Sequence, residues 1–181
     1  MIVSKYQSPT ALHPNFEGMP KALTELKGRW VLWSYTWDGQ RWLKIPKHPN
    51  GYNASSNKPS SWSDFNVVRA AYENSNGNFD GVGIMLGSQL KNGLYLVGLD
   101  FDHCIKDETL NHAASEVIEE LNTYWELSPS GSGIRLFVFY DKMLPARKTN
   151  KVDGNSREIY MSGRYMTVTG RGNGVEVRHV I

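Results

Sequence analysis

A single α/β domain is the fold class that this sequence predicts, and three observations predict it. Short runs rich in strand formers recur along the chain, one segment carries apolar residues at helical spacing while another opens on a capping-box pattern, and turn residues separate them at short intervals. At 181 residues the chain is long enough for one well-buried domain, or for one built from two small halves that share a core. It is read as one unit over 1–181, with N-terminal elements over about 29–90 and a second, sheet-bearing part over about 91–175.

The elements follow in order. The first twenty residues contain Pro9, Pro14 and Pro20 with little periodicity, and predict an irregular lead-in. The run Arg29-Trp-Val-Leu-Trp-Ser-Tyr-Thr-Trp, then Asp38-Gly39, then Arg41-Trp-Leu-Lys-Ile predicts a β-hairpin with a tight turn. Pro46, Pro49, Gly51 and the polar stretch Asn53 to Ser60 predict a long loop. Ser61-Trp-Ser-Asp resembles a capping box and predicts a helix from about Trp62 to Glu73. Gly81-Val-Gly-Ile-Met-Leu-Gly and Leu94 to Asp102 read as strands, with Asn92-Gly93 as the turn between them. Asp107 is expected to cap a helix in which Leu110, Ala113, Ala114, Val117, Ile118 and Leu121 form one apolar stripe. Strands are expected at Ile134 to Tyr140, Arg157 to Met161 and Arg164 to Thr169.

Composition excludes several classes. Apolar residues make up 40% and charged residues 21%, near the globular average and far from disordered or collagenous chains. No stretch approaches the ~20 apolar residues that span a bilayer, and Met1 to Pro9 lack the layout of a signal peptide. A cytoplasmic protein with no membrane partner is the expectation. Cys104 is the single cysteine, so neither a disulfide framework nor a cysteine-based zinc site can be built, even with His103 beside it. No Gly-x-x-x-x-Gly-Lys-Ser/Thr phosphate loop is present, which excludes a motor of that type.

The net charge of +2 conceals an uneven distribution. Lys and Arg outnumber Asp and Glu by eight to three over 1–60 and by nine to four over 135–181, whereas 100–126 carries one base against eight acids. Basic ends suit a polyanion, and an acidic centre repels phosphate unless cations bridge the two. Glu116, Glu119 and Glu120 read as the solvated face of a helix, which leaves Asp100 and Asp102 to be explained. Side chains two apart in a strand share a face, about 6.6 Å apart along the chain, so both carboxylates reach one site. Tyr95, Val97, Leu99 and Phe101 form an apolar row on the other face. A pair of hard cations, Mg²⁺ or Mn²⁺, would relieve the repulsion between two such carboxylates and bridge phosphates. On these residues alone, two surface acids beside a turn remain the alternative.

Taken with Leu99-Asp-Phe-Asp-His-Cys, the segments Ser128-Pro-Ser-Gly-Ser-Gly-Ile-Arg-Leu-Phe-Val-Phe and Arg157-Glu-Ile-Tyr-Met-Ser-Gly-Arg-Tyr-Met-Thr-Val-Thr-Gly resemble the archaeo-eukaryotic primase superfamily. The likeness is to the primase-polymerase domains of phage and plasmid replication proteins. It runs from about Trp30 to Gly170 and includes Lys44-Ile-Pro-Lys, Ser61-Trp-Ser-Asp-Phe and Gly81-Val-Gly-Ile-Met-Leu-Gly. The resemblance implies a palm-like sheet of the RNA-recognition-motif type with its acids on an open face, packed against the N-terminal hairpin-loop-helix part, and an active cleft between them. It implies that Asp100, Asp102 and Glu158 are catalytic and hold two metals, Mg²⁺ or Mn²⁺. It implies template-directed primer synthesis, DNA polymerisation or both, in phage, plasmid or mobile-element replication. Single-stranded DNA template and (d)NTPs would be the partners, with a helicase domain or replication initiator in cis or trans.

The chain departs from that pattern where the family usually has His, because Arg135 stands there. Arginine keeps its charge and can clamp a triphosphate but cannot carry a proton at that step. Alternation with Ile134, Leu136 and Val138 puts Arg135 on the face of the carboxylates. By resemblance Arg164 and Thr167 are nucleotide contacts, against the alternative of ordinary strand decoration. Lys44 and Lys47 flank Pro46 and suit a triphosphate or template backbone, or simply solvent. The turn containing Ser130 and Ser132 offers backbone N–H groups to phosphate. Trp30, Trp33, Trp37 and Trp42 are read as mostly core, with base stacking as the other use. Two rival functions stand beside synthesis: a non-catalytic single-strand-binding module, and a metal-dependent nuclease.

Overall fold

The computed structural model describes residues 7–144, 148–152 and 155–181, and the side chains of 148–152 and 155–156 are outside that description. The first six residues of the expected irregular lead-in also lie outside it. A single helical turn, α1 (Lys21–Thr24), follows Pro20. Strands β1 (Trp30–Trp37) and β2 (Trp42–Lys47) make the expected hairpin. Its turn is held by Asp38, whose Oδ1 accepts the Gln40 and Arg41 N–H groups at 2.8 Å each.

The helix expected from Trp62 is α2 (Phe65–Glu73), which starts three residues later. Trp30 and Ser63 exchange backbone hydrogen bonds at 2.8 Å, which keeps the chain extended past Ser61. Ser61 lies in a short 3-10 turn, and the carboxylate of Asp64 accepts the Gly28 N–H at 2.6 Å instead of capping the helix.

Strand β3 (Gly81–Leu86) is buried throughout, and β4 (Tyr95–Phe101) follows after the turn at Gly93. These two strands are not partners; they lie in different sheets. Beyond β4 the expected helix cap at Asp107 is replaced by a miniature hairpin, β5 (Ile105–Lys106) and β6 (Thr109–Leu110). Its two central residues, Asp107 and Glu108, both have positive φ, +49° and +60°, as a tight two-residue hairpin turn requires. Helix α3 (His112–Leu121) is capped by Asn111, whose side chain accepts the Ala114 N–H at 2.9 Å. Leu110 therefore stands outside the helix, though it packs against the same apolar cluster.

The remaining strands are β7 (Trp125–Leu127), β8 (Ile134–Tyr140), β9 (Lys148–Val152), β10 (Asn155–Tyr160), β11 (Arg164–Val168) and β12 (Arg178–Val180). One sheet has the order β11-β3-β1-β2, all antiparallel. The other runs β12-β8-β4-β10-β9, with β7 sharing the outer edge of β8 with β12. The chain thus returns through β11 to the sheet that its N-terminal half began.

Alternation along β4 and β8 divides the core in two. Val97, Leu99, Phe101, Ile134, Leu136 and Val138 pack against α3 around Ala114. Leu96 and Phe137 point the other way, into a second cluster with Trp30, Leu86 and Met166 of the four-stranded sheet. Gly98 marks the closest approach of the two sheets, because a Cβ there would collide with Met166 and Leu86. The sheet face expected to be open is therefore closed along its middle by the other sheet. Trp30 and Trp33 are fully buried, as read, while Trp37 and Trp42 pair edge to face at 5.6 Å near the hairpin tip. Among the described residues, no helix is long and apolar enough to cross a membrane.

Candidate active site

Cross-strand register assembles the site. Asp100 of β4 lies opposite Arg135 of β8 on one side and Glu158 of β10 on the other, and Arg135 lies opposite Glu126 of β7. Directly opposed residues of antiparallel strands project from the same face, so Glu126, Arg135, Asp100 and Glu158 form one row across four strands. That row emerges at the end of the seam between the two sheets. The four-stranded sheet supplies the facing wall, where Lys44, Arg164, Tyr165 and Thr167 line a cavity of about 170 Å³ with Asp100 and Arg135.

Asp100 is the group under most tension. Its side chain is 16% exposed and its Oδ1 lies 3.3 Å from Arg135 Nε, yet neither atom makes a well-formed hydrogen bond. Burial pushes the Asp100 carboxyl above the usual carboxylate range; Arg135 and Lys44 oppose this, while Asp102 and Glu158 add to it. Burial in turn lowers the Lys44 ammonium, with Arg135 acting in the same direction and Asp100 and Asp102 against it. Lys44 is thus within the field of both aspartates.

Arg135 is only 6% exposed. It donates through Nη1 to the Thr167 hydroxyl and, at 3.3 Å, to the Thr167 carbonyl, which ties β8 to β11 across the seam. Glu126, missed in the sequence reading, is wholly buried and fully satisfied. It accepts the Tyr124 hydroxyl at 2.6 Å, the Thr169 N–H at 2.9 Å and the Gly170 N–H at 2.8 Å. Burial raises its carboxyl, against the pull of those three donors and of Arg135. The available signal was an acid inside the strand-forming run Tyr124-Trp-Glu-Leu, just before the Ser-Gly turn.

The other expected residues fall at different distances from this centre. Asp102 lies one residue beyond the end of β4 and is exposed. Glu158 accepts a hydrogen bond from the Tyr160 hydroxyl through Oε2. Arg164 lies over the Tyr160 ring at 5.3 Å from its centroid, at the edge of the cavity. Lys47 is three residues from Lys44, an odd spacing that turns it to the opposite face of β2, where Nζ donates to Asn53 at 2.7 Å. Ser130 and Ser132 belong to a chain of hydroxyls, Ser128–Ser130–Ser132, with 3.0 Å steps, and Ser132 Oγ is 3.4 Å from His103 Nδ1. The Gly131 and Gly133 N–H groups of that turn already reach the Ser128 carbonyl and hydroxyl, so they are spent on the turn itself.

Two features decide what the site can hold. Its acids offer oxygen donors only, which suits hard divalent cations, and a buried carboxylate oxygen without a hydrogen bond is the kind of acceptor that a cation completes. Among the described residues, however, no three His, Cys, Asp or Glu side chains are gathered into a ready-made metal-binding group. Glu158 is instead bonded to the Tyr160 hydroxyl and Asp100 is paired with Arg135.

No family model matches the chain. It is 35% identical over 156 residues to the DNA primase-polymerase of Nitratiruptor phage NrS-1. The aligned region covers 83% of this chain and 20% of the relative, so the chain spans about a fifth of the length of the curated protein that it matches. A match of this extent supports a primase-polymerase relationship.

Proposed function

We propose that this chain is the nucleotidyl-transferring domain of a DNA primase-polymerase, and that the end of the seam at Asp100 is its active site. The observation that carries the reading is the cross-strand row itself. It sets a buried, unsatisfied carboxylate among three cations, Lys44, Arg135 and Arg164, with Asp102 and Glu158 at its flanks. Similarity to the phage DNA primase-polymerase supports the same activity. The β4, β8 and β10 segment serves as a palm of the RNA-recognition-motif type, with α3 on its back.

Asp100, Asp102 and Glu158 would hold two Mg²⁺ or Mn²⁺ ions, which would supply Lewis-acid activation of a primer 3′-hydroxyl and charge neutralisation of the triphosphate. Lys44 and Arg164 bind the triphosphate oxygens from the facing sheet. Arg135 adds fixed positive charge beneath them and needs no proton transfer for that role. Thr167 holds the Arg135 guanidinium in place. The template is single-stranded DNA and the substrates are (d)NTPs, with unwinding supplied by a helicase domain or initiator. The setting is the cytoplasm of a cell that carries the phage or mobile element.

A second reading, a single-strand-binding module without turnover, is favoured by one observation: Arg135 pairs with the carboxylate that a metal needs. Incubation with a single-stranded template, labelled nucleotides and Mg²⁺ or Mn²⁺ separates the two. Synthesis by the wild type, lost in Asp100→Ala, Asp102→Ala and Glu158→Ala with circular dichroism unchanged, is the expected result. Strand binding without any product would leave the binding module standing.

A further inference from the structure

The seam between the sheets opens at both ends, and the end away from Asp100 holds a larger cavity, of about 560 Å³. Leu96 pairs with Phe139 and Asp100 with Arg135, so four residues, about 13 Å, separate the two ends along β4. The buried side chains Leu96, Phe137, Leu86 and Met166 close the space between them. The volume falls within the usual range of about 300–1,000 Å³ for small-molecule sites.

The lining combines an apolar wall with two cations, Arg29 and Lys91, that have no ion pair among the described residues. Ala22, Leu26, Leu90 and Phe139 form the wall. Arg29, only 7% exposed, donates to the carbonyls of Met85 at 3.5 Å and Ser88 at 2.6 Å, both neutral, and no carboxylate pairs with it among the described residues. Burial lowers the Arg29 guanidinium with nothing anionic to offset it. Glu25, the acid on this lining, is turned to Lys21 at 3.6 Å, and Lys27 is turned to Asp64 at 3.9 Å. Lys91 makes no ion pair among the described residues. A buried charge without a counter-charge is costly, and an anionic ligand removes the cost. An apolar wall beside that charge asks for a flat hydrophobic body on the same molecule. One recessed cation at the end of a seam suits a single phosphate-bearing molecule better than a strand, which needs a run of successive phosphate contacts.

We propose that this end of the seam is a second binding pocket, for a free nucleoside phosphate, with the phosphate on Arg29 and Lys91 and the base against Leu26, Leu90 and Phe139. It is separate from the carboxylate site and stands without it. A ligand there joins the 88–93 connection between β3 and β4 to the start of β1, at the opposite end of the strand that carries Asp100.

The test uses AMP as probe in EDTA without DNA, by calorimetry on the whole chain, and compares it with inorganic phosphate, adenosine and a short oligonucleotide. Asp100→Asn is expected to keep one AMP-binding event. Lys91→Glu, on an exposed connection where folding is safe, weakens it at least tenfold, and Leu26→Glu does the same from the apolar wall, with melting temperature checked for both. Phosphate alone and adenosine alone bind at least tenfold more weakly than AMP. Absence of AMP binding, or equal binding by wild type and Lys91→Glu, overturns the pocket. Tighter binding of the oligonucleotide than of AMP, lost in the same variants, overturns the choice of ligand. Synthesis is not measured here, so failure of nucleotidyl transfer would leave this result intact.

Discussion

Two carboxylates flank Arg135 in the same cross-strand row, and they live under opposite conditions. Glu126 has no exposure and three donors on its two oxygens. Asp100 is nearly as enclosed, yet its Oδ1 has no hydrogen bond and only a loosely aligned arginine beside it. A satisfied buried carboxylate fastens backbone: Glu126 holds the Thr169–Gly170 peptide of the returning chain to β7. Asp100, at the mouth of a cleft, instead has a cation beside it and no hydrogen bond on Oδ1. Burial alone therefore does not separate the two acids; their hydrogen-bond partners do.

Opposite phenotypes are the way to break that comparison. Asp100→Asn is expected to lower nucleotide incorporation by about 10³-fold or more, the scale of losing an electrostatic centre, while the melting temperature stays the same or rises. A large loss of stability in this variant would erase the distinction. Glu126→Ala leaves three buried donors unpaired and is expected to cost about 3–5 kcal/mol, roughly 10 °C in melting temperature for a chain of this size. A cost near zero would mean that water replaces the carboxylate.

The pH dependence sharpens the same contrast at Glu126. Burial raises its folded-state pKa above the ordinary value of 4.5, so the native state keeps a proton that the unfolded chain has lost. Stability is full below that ordinary value and falls as pH rises from there through the raised value, where the loss levels off. Glu126→Gln, which cannot ionise, should lose that slope, as melting curves across the acid range will show. Gly98→Ala probes the seam between the sheets two residues before Asp100 on the same strand face, where the displaced Met166 also lines the Asp100 cavity. It is expected to cost about 1–3 kcal/mol by forcing Met166 and Leu86 aside, measured by urea unfolding. Smallest is Asn111→Ala, which removes one helix cap far from the row and should cost about 1 kcal/mol with synthesis unchanged.

Much of the fold was legible because its signals are local. Strands β1, β3, β4 and β8 appear within a residue or so of where alternation and turn residues put them, whereas β2 runs on through Pro46 and Lys47 into the expected loop because both pair with β1. Two helix starts were displaced, each by a nearby competitor: the Trp30–Ser63 bridge delays α2, and the Asp107–Glu108 turn takes the residues before α3. The site was partly legible. Period-two spacing puts Asp100 on the face opposite Leu99 and Phe101, and it does the same for Arg135 against Ile134 and Leu136. The same parity argument, carried from Lys44 to Lys47, separates the two lysines onto opposite faces of β2. Asp102 follows the parity of Asp100, but the strand ends at Phe101, so a shared face no longer binds it.

By itself the sequence determined which residues alternate inward, where the chain turns, and that two aspartates sit at the end of a strand backed by an apolar row. Those properties depend on neighbours within a few residues. Only the tertiary structure decided that Asp100 stands between Arg135 and Glu158, that Glu126 completes the row, and that a second sheet carrying Lys44 and Thr167 covers the face expected to be open. Register between Asp100 and partners 35 and 58 positions away, and the choice of which face one sheet shows another, are set by how the whole core packs. Asp100 owes its strand to local sequence, and its enclosure beside Arg135 without a hydrogen bond on Oδ1 to that packing.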